Sequence, residues 1–405
     1  MGGRPMLAYV LHAPFSLPIL GPKRILKRVL PVQQTKTGRA NFSFQSVTRS
    51  GQPWDSWSAQ GRNPAMAQEL VVVNLSPRST GNRVNPTTAE FSGEHLVVRL
   101  RSHAGLLRLD HSVKQIFVLP GMVIAASIAG VTLDSAFAVR AVLGLLAVVA
   151  AASSNYVLNE LLDAPFDRLH PTKRTRPAAC RKINVPLAYV QWLVCAAAGF
   201  LLAYAVSWQL FACVLSLWLM GCAYNVPPVR MKDLPYLDVL AESINNPIRF
   251  CVGWYIVTSA VLPPASVLLA YWMLGGYFMA LKRFSEYRQI GVESARLYRR
   301  SFVRYTEESL LVSALFYAAA AMLFFGAFIM RYRMEMIFAF PFIALLMADY
   351  FKLAFACESP VQHPEKLYRQ PLLMALLAIC SAVLIVTSFV HFPWLAQMFP
   401  KSGLR

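Results

Sequence analysis

From residue 111 onward the chain alternates long apolar runs with short polar connections. Nine runs can be marked, at about 115–133, 137–162, 185–207, 209–226, 238–259, 265–281, 309–330, 334–355 and 371–393. Each approaches the roughly 20 residues that a helix rising about 1.5 Å per residue needs to cross a bilayer core. Lipid offers backbone groups no hydrogen-bond partner, so every run is predicted to be a helix. The connections carry charge unevenly. Lys and Arg gather after the second, fourth, sixth and eighth runs and are nearly missing after the others. The positive-inside rule then puts those four loops and the N-terminus in the cytoplasm and the C-terminus outside, as an odd number of crossings requires. The expected class is an all-α polytopic membrane protein, with residues 111–405 as its nine-helix membrane domain.

Residues 1–110 follow no such pattern. They are rich in Ser, Pro, Gly, Asn and Arg, and are expected to form a polar, basic, largely disordered extension. Met6 to Leu20 imitates a signal peptide only poorly: Pro14 and Pro18 interrupt it and no small-residue cleavage site follows. Met66 stands as an alternative start.

Composition agrees with the pattern. The chain is 56% hydrophobic and 15% charged with a mean hydropathy of +0.45, which excludes an ordinary soluble domain. Its net charge of +19 at first suggests nucleic acid, but no zinc spacing, RNP-like motif or soluble basic helix supports that partner. Seven cysteines form no CxxC pair and mostly lie inside apolar runs, where they read as small hydrophobes. Trp192, Trp208, Trp254, Trp272 and Trp394 near helix ends read as interfacial belts. Gly275 and Gly276 read as sites of close helix packing.

Acidic residues are scarce in the membrane domain, so their placement carries information. Glu160, Asp163 and Asp167 end the second run, and Asn155, Asn159, Asp163 and Asp167 recur every four residues as one polar stripe. Such a stripe must face a cavity. Asp233, Asp238 and Glu242 form a second cluster after the fourth run, on the same membrane side. Oxygen ligands of this kind favour magnesium, which completes its shell with water and substrate phosphates. Neutralisation of the carboxylates by the basic loops is the alternative. Arg168, Lys173, Arg174, Arg176, Arg230, Lys232, Lys282 and Arg283 gather on the same face, and Arg249 lies inside the fifth run, where an ion pair with Glu242 competes with a ligand. No Walker, Gly-x-Ser-x-Gly or His-Glu-x-x-His pattern occurs.

The segment Asn159-Glu160-Leu161-Leu162-Asp163-Ala164-Pro165-Phe166-Asp167, with a second acidic motif after the fourth run, resembles the UbiA superfamily of intramembrane prenyltransferases over roughly residues 105–395. Glu160 stands where that family usually has Asp. The stretch Asp167-Arg168-Leu169-His170-Pro171-Thr172-Lys173-Arg174-Thr175-Arg176-Pro177 is similar to the branch that moves phosphoribose onto polyprenyl phosphate, the decaprenyl-phosphate phosphoribosyltransferases. So are Lys282-Arg283-Phe284-Ser285-Glu286, Arg299-Arg300-Ser301 leading to Tyr305, and Asp238 with Arg249 and Gly253. The resemblance implies a central cavity open to the cytoplasm and to lipid, in an inner or plasma membrane protein that serves cell-envelope synthesis. It implies Mg2+ held by Asn159, Asp163, Asp167 and Asp238, with Asp163, Asp167 and Asp238 catalytic. Substrate would meet Lys114, Asn159, Arg168, Lys173, Arg176, Tyr224, Lys232, Arg249, Lys282, Arg283 and Glu286. The implied partners are a 5-phosphoribosyl diphosphate donor and a polyprenyl phosphate acceptor among membrane lipids, with a homo-oligomer left open. Two rivals remain: transfer of a prenyl group from a prenyl diphosphate to an aromatic or lipid acceptor, and a transporter or silent scaffold, against which no obvious internal repeat is found.

Overall fold

The structure, a computed structural model, describes residues 93–130, 134–168, 173–180, 183–362 and 364–399. All the elements among them are helical. Thirteen α-helices run α1 Gly93–Leu106, α2 Leu119–Ala129, α3 Ser135–Asp167, α4 Val185–Val206, α5 Trp208–Asn225, α6 Leu237–Ser243, α7 Asn245–Val257, α8 Ala265–Ile290, α9 Val292–Tyr298, α10 Glu307–Tyr332, α11 Phe340–Ala354, α12 Pro371–Phe389 and α13 Pro393–Met398. The 3-10 segment Leu109–Val118 leads into α2.

Among the described residues seven helical segments are long and apolar enough to cross a membrane. Two of the nine predicted spans fall short for visible reasons. The run at 209–226 is an 18-residue helix, α5, that ends on the polar pair Tyr224-Asn225. The run at 238–259 breaks at Ile244 into α6 and α7, next to Asn245-Asn246-Pro247, where Pro247 has no N–H to continue the ladder. The boundary expected at residue 110 also falls earlier, because α1 is already helical and buries Leu106 completely. Residues 1–92, and with them the basic extension and the signal-like segment, lie outside the described residues.

The helices close a ring. α3 packs along α4 and α5, α5 meets α7, α7 meets α2 and α8, α8 runs against α10, and α12 joins α11 back to α2. The tightest joint is between α2 and α7. A Cβ on Gly121 would lie 2.0 Å from the Phe250 carbonyl oxygen, and one on Gly253 2.0 Å from that of Val118. Glycine alone allows backbones this close. Gly275 and Gly276 behave as expected, passing within reach of Asn246 and Tyr317. Leu201, Leu262, Leu315 and Leu323 point outward almost bare, the exterior a lipid-embedded ring needs. All seven cysteines are free. Trp254 departs from the interfacial pattern: it is completely buried and donates to the Val261 carbonyl.

Candidate active site

The ring encloses a cavity of about 1790 Å³. One end is polar, built from the ends of α3, α5 and α8 and the segment around Lys232. The rest is apolar, walled by residues such as Phe117, Val267, Phe278, Phe325 and Leu377.

The polar end starts from the predicted stripe. Asn155, Asn159, Asp163 and Asp167 all line the cavity. The two carboxylates stand in the last turn of α3, where the helix dipole is negative and opposes them. Cations compensate. Lys232 Nζ lies 2.5 Å from Asp163 Oδ1 and Arg230 3.0 Å from the same oxygen, while Arg176 reaches Asp167 Oδ2 at 2.7 Å. Asn159 donates to Asp163 Oδ2 at 3.1 Å and to Asn225 Oδ1 at 2.6 Å. Asn225 is itself buried and takes a second donor from Lys232 at 2.8 Å. Burial pulls the Lys232 ammonium down to about 8, against the upward pull of Asp163.

The second acidic cluster is turned differently from expectation. Asp238 is fully buried and does not line the cavity. Its carboxylate accepts from Tyr305 at 2.7 Å, Ser301 at 3.2 Å and Arg283 at 3.2 Å, with Arg299 at 3.3 Å. One turn later Glu242 does line the cavity, bound to Arg283 at 2.8 Å and to the Tyr224 hydroxyl at 3.0 Å. Asp238 therefore braces Arg283 and Arg299 from behind, and the second-cluster carboxylate on the cavity wall is Glu242. Glu160 also turns away, accepting from the Ala178 amide at 3.2 Å.

Of the other expected residues, Lys114, Arg176, Tyr224, Lys232, Arg249, Lys282, Arg283 and Glu286 line the cavity. Arg168 does not; it is exposed and donates to the Ala179 carbonyl at 3.1 Å. The Lys173 side chain lies outside the described residues. Arg249 pairs with Gln115 at 3.0 Å rather than with Glu242. Asn225 and Tyr156, which also line the cavity, had no expected role, while Glu242 and Arg299 were named in the acidic cluster and the family-like segment but given no contact with substrate.

Residues 116–377 match the UbiA prenyltransferase family. The chain belongs to that family. The chain is 35% identical over 153 residues to nodulation protein NoeC of Azorhizobium caulinodans, covering 37% of this chain and 48% of that one. It is 30% identical over 167 residues to decaprenyl-phosphate phosphoribosyltransferase of Mycolicibacterium smegmatis, covering 40% of this chain and 48% of the relative. The alignments thus span about half the length of these curated relatives. A UbiA homolog from Archaeoglobus fulgidus, solved with DMAPP and Mg2+, superposes with a TM-score of 0.55 at 22% identity, over 71% of this chain and 98% of that one. That likeness establishes the fold, and this UbiA-family chain is an integral membrane protein of the same architecture.

A divalent metal is tested by the donor set itself. Among the described residues no three His, Cys, Asp or Glu side chains group closely enough to cage an ion. Two cavity-facing carboxylates and an amide on one helix face are what magnesium uses when water and phosphate oxygens complete its shell. The residues fit it.

Proposed function

We propose that the protein transfers a 5-phosphoribosyl group from 5-phosphoribosyl diphosphate to a polyprenyl phosphate, with the polar end of the cavity facing the cytoplasm of an inner or plasma membrane. The observation that carries this reading is the charge of the wall: eight Lys and Arg side chains against four Asp and Glu. A prenyl diphosphate brings one anionic group and an apolar tail. Phosphoribosyl diphosphate and a lipid phosphate bring two further monoesters, each adding about two negative charges. The basic excess matches the second set. Relatives named decaprenyl-phosphate phosphoribosyltransferase, from Mycolicibacterium smegmatis and Corynebacterium glutamicum, support the same choice.

Asn159, Asp163 and Asp167 would hold Mg2+. When bound, the ion neutralises the leaving diphosphate. The chain's own groups do the rest. Arg176 and Lys232 stand beside the carboxylates, and Arg283 and Arg299, braced by Asp238, face the same volume as fixed cations toward departing charge. The acceptor phosphate oxygen attacks C1 of the ribose, the C1–oxygen bond to diphosphate breaks, and diphosphate carries away the electron pair. A phosphate monoester is already ionised at neutral pH, so no strong general base is required. The apolar body of the cavity holds the isoprenoid chain.

Incubation of the purified protein with magnesium, labelled phosphoribosyl diphosphate and polyprenyl phosphate is expected to put label in the lipid phase. Absence of that product, with label instead entering lipid from a prenyl diphosphate, would replace phosphoribosyl transfer by prenyl transfer.

A further inference from the structure

The cations on the cavity wall divide by what holds them. Arg176, Lys232, Arg283 and Arg299 each have a carboxylate oxygen within 3.3 Å. Arg108, Lys114, Arg249 and Lys282 have none in ion-pair range among the described residues, though all four line the cavity; Arg108 lies over the Tyr156 ring. Arg249 is 8% exposed within α7, and its hydrogen bonds among the described residues go to neutral groups, Gln115 Oε1 at 3.0 Å and the Asn245 carbonyl at 3.3 Å. Lys114 has only the face of Tyr156, 6.0 Å from its centroid. Lys282 has no hydrogen-bonding partner among the described residues. The carboxylate whose charge both lysines feel, Glu242, is already committed to Arg283 and Tyr224.

Unpaired charge inside a membrane protein is costly, and it is retained where a ligand completes it. Gln115 supplies an independent sign. It is 6% exposed, its oxygen is held by Arg249, and its Nε2 has no partner. A buried donor left empty next to a buried, neutrally partnered guanidinium calls for an anionic acceptor. Just beyond these groups the wall turns apolar, with Phe117, Phe250 and Leu274.

We propose that Lys114, Arg249 and Lys282 form a second anion subsite, made of different residues from the cations paired with Asp163 and Asp167, that takes a phosphate monoester. This rests on the reading that the cavity accepts phosphorylated substrates. The monoester is supplied either by the lipid acceptor's headgroup or by the 5-phosphate of the donor; the phosphate chemistry is shared.

The test uses the full chain in detergent, without donor or magnesium, titrated with farnesyl phosphate, farnesol, ribose 5-phosphate and ribose. Each phosphate is compared with its alcohol for wild type, Arg249→Met and Lys282→Gln. At least one phosphate is expected to bind about tenfold or more tightly than its alcohol, with both variants closing that gap. Dependence confined to farnesyl phosphate assigns the subsite to the lipid; dependence confined to ribose 5-phosphate assigns it to the donor. Equal binding of phosphate and alcohol by the wild type, or a gap that survives in both variants, overturns the proposal. Stability separates ligand binding from structure. Ligand-free Arg249→Met is expected to melt at or above the wild-type temperature because a neutrally partnered buried charge has gone, and a marked fall would make Arg249 a structural strut and overturn its assignment. Wild-type protein that binds farnesyl phosphate through these cations yet moves no phosphoribosyl label would refute the transfer reaction and leave the subsite standing.

Discussion

Asp238→Asn and Asp163→Asn remove the same charge by the same isosteric change, yet the structure gives them opposite signatures. Asp238 is 0% exposed and neutralises the buried Arg283 and the partly buried Arg299. Loss of one partner from a buried ionic cluster costs about 3–5 kcal/mol. At roughly 2 °C per kcal/mol for a large domain, the melting temperature should fall by about 6–10 °C. Asp163 keeps 20% of its side chain exposed on the cavity, and its partners Arg230 and Lys232 retain other bonds to Asp233 and Asn225. Its loss should leave the melting temperature within about 2 °C of wild type while activity falls about 100-fold, the scale seen when a single charge-stabilising group is removed. Thermal unfolding by intrinsic fluorescence and the lipid-labelling assay, run on the same preparations, give both readings. An Asp238→Asn protein that melts like wild type but no longer responds to magnesium would refute the positioning role and restore Asp238 as a metal ligand.

Two further outcomes follow from the same geometry. Lys232 titrates near 10.5 when unfolded and at about 8 when folded; the unfolded chain binds the extra proton between those values, so this group makes stability rise with pH through that window. Its charge beside Asp163 is present below pH 8 and lost above it, so kcat/KM should decline above pH 8, and Lys232→Arg should move that limb upward. Gly253→Ala forces a methyl against the Val118 carbonyl oxygen; separation of α2 from α7 should cost at least about 1–3 kcal/mol, read as lower yield and melting temperature.

The helices and the Asn155–Asp167 stripe were legible because a repeat of four survives as one face in any long helix. The same rule could not choose between Asp238 and Glu242. They too are four apart and share a face, so periodicity makes them equivalent. What separates them is the docking of Arg283, Arg299, Ser301 and Tyr305, which meet Asp238 from positions 45 to 67 residues away. Glu160 shows a related limit. Its position in the acidic motif is plain, but its orientation depends on the Ala178 amide beyond the loop. The split at Ile244 was announced by Asn245-Asn246-Pro247 and hidden by the apolar residues on both sides.

The four donors around Asp238 also order the assembly of the chain. Only Arg283 belongs to the helix that follows α7; Ser301, Arg299 and Tyr305 arrive later, after α9 has been made. Until then an anionic side chain inside the ring has one of its two cations and neither of its hydroxyl donors. A chain that stops or misinserts before Tyr305 therefore carries an incompletely neutralised carboxylate where the finished ring has a fully buried one. The cluster that braces the arginines of the cavity wall is thus complete only once the second half of the ring has been delivered.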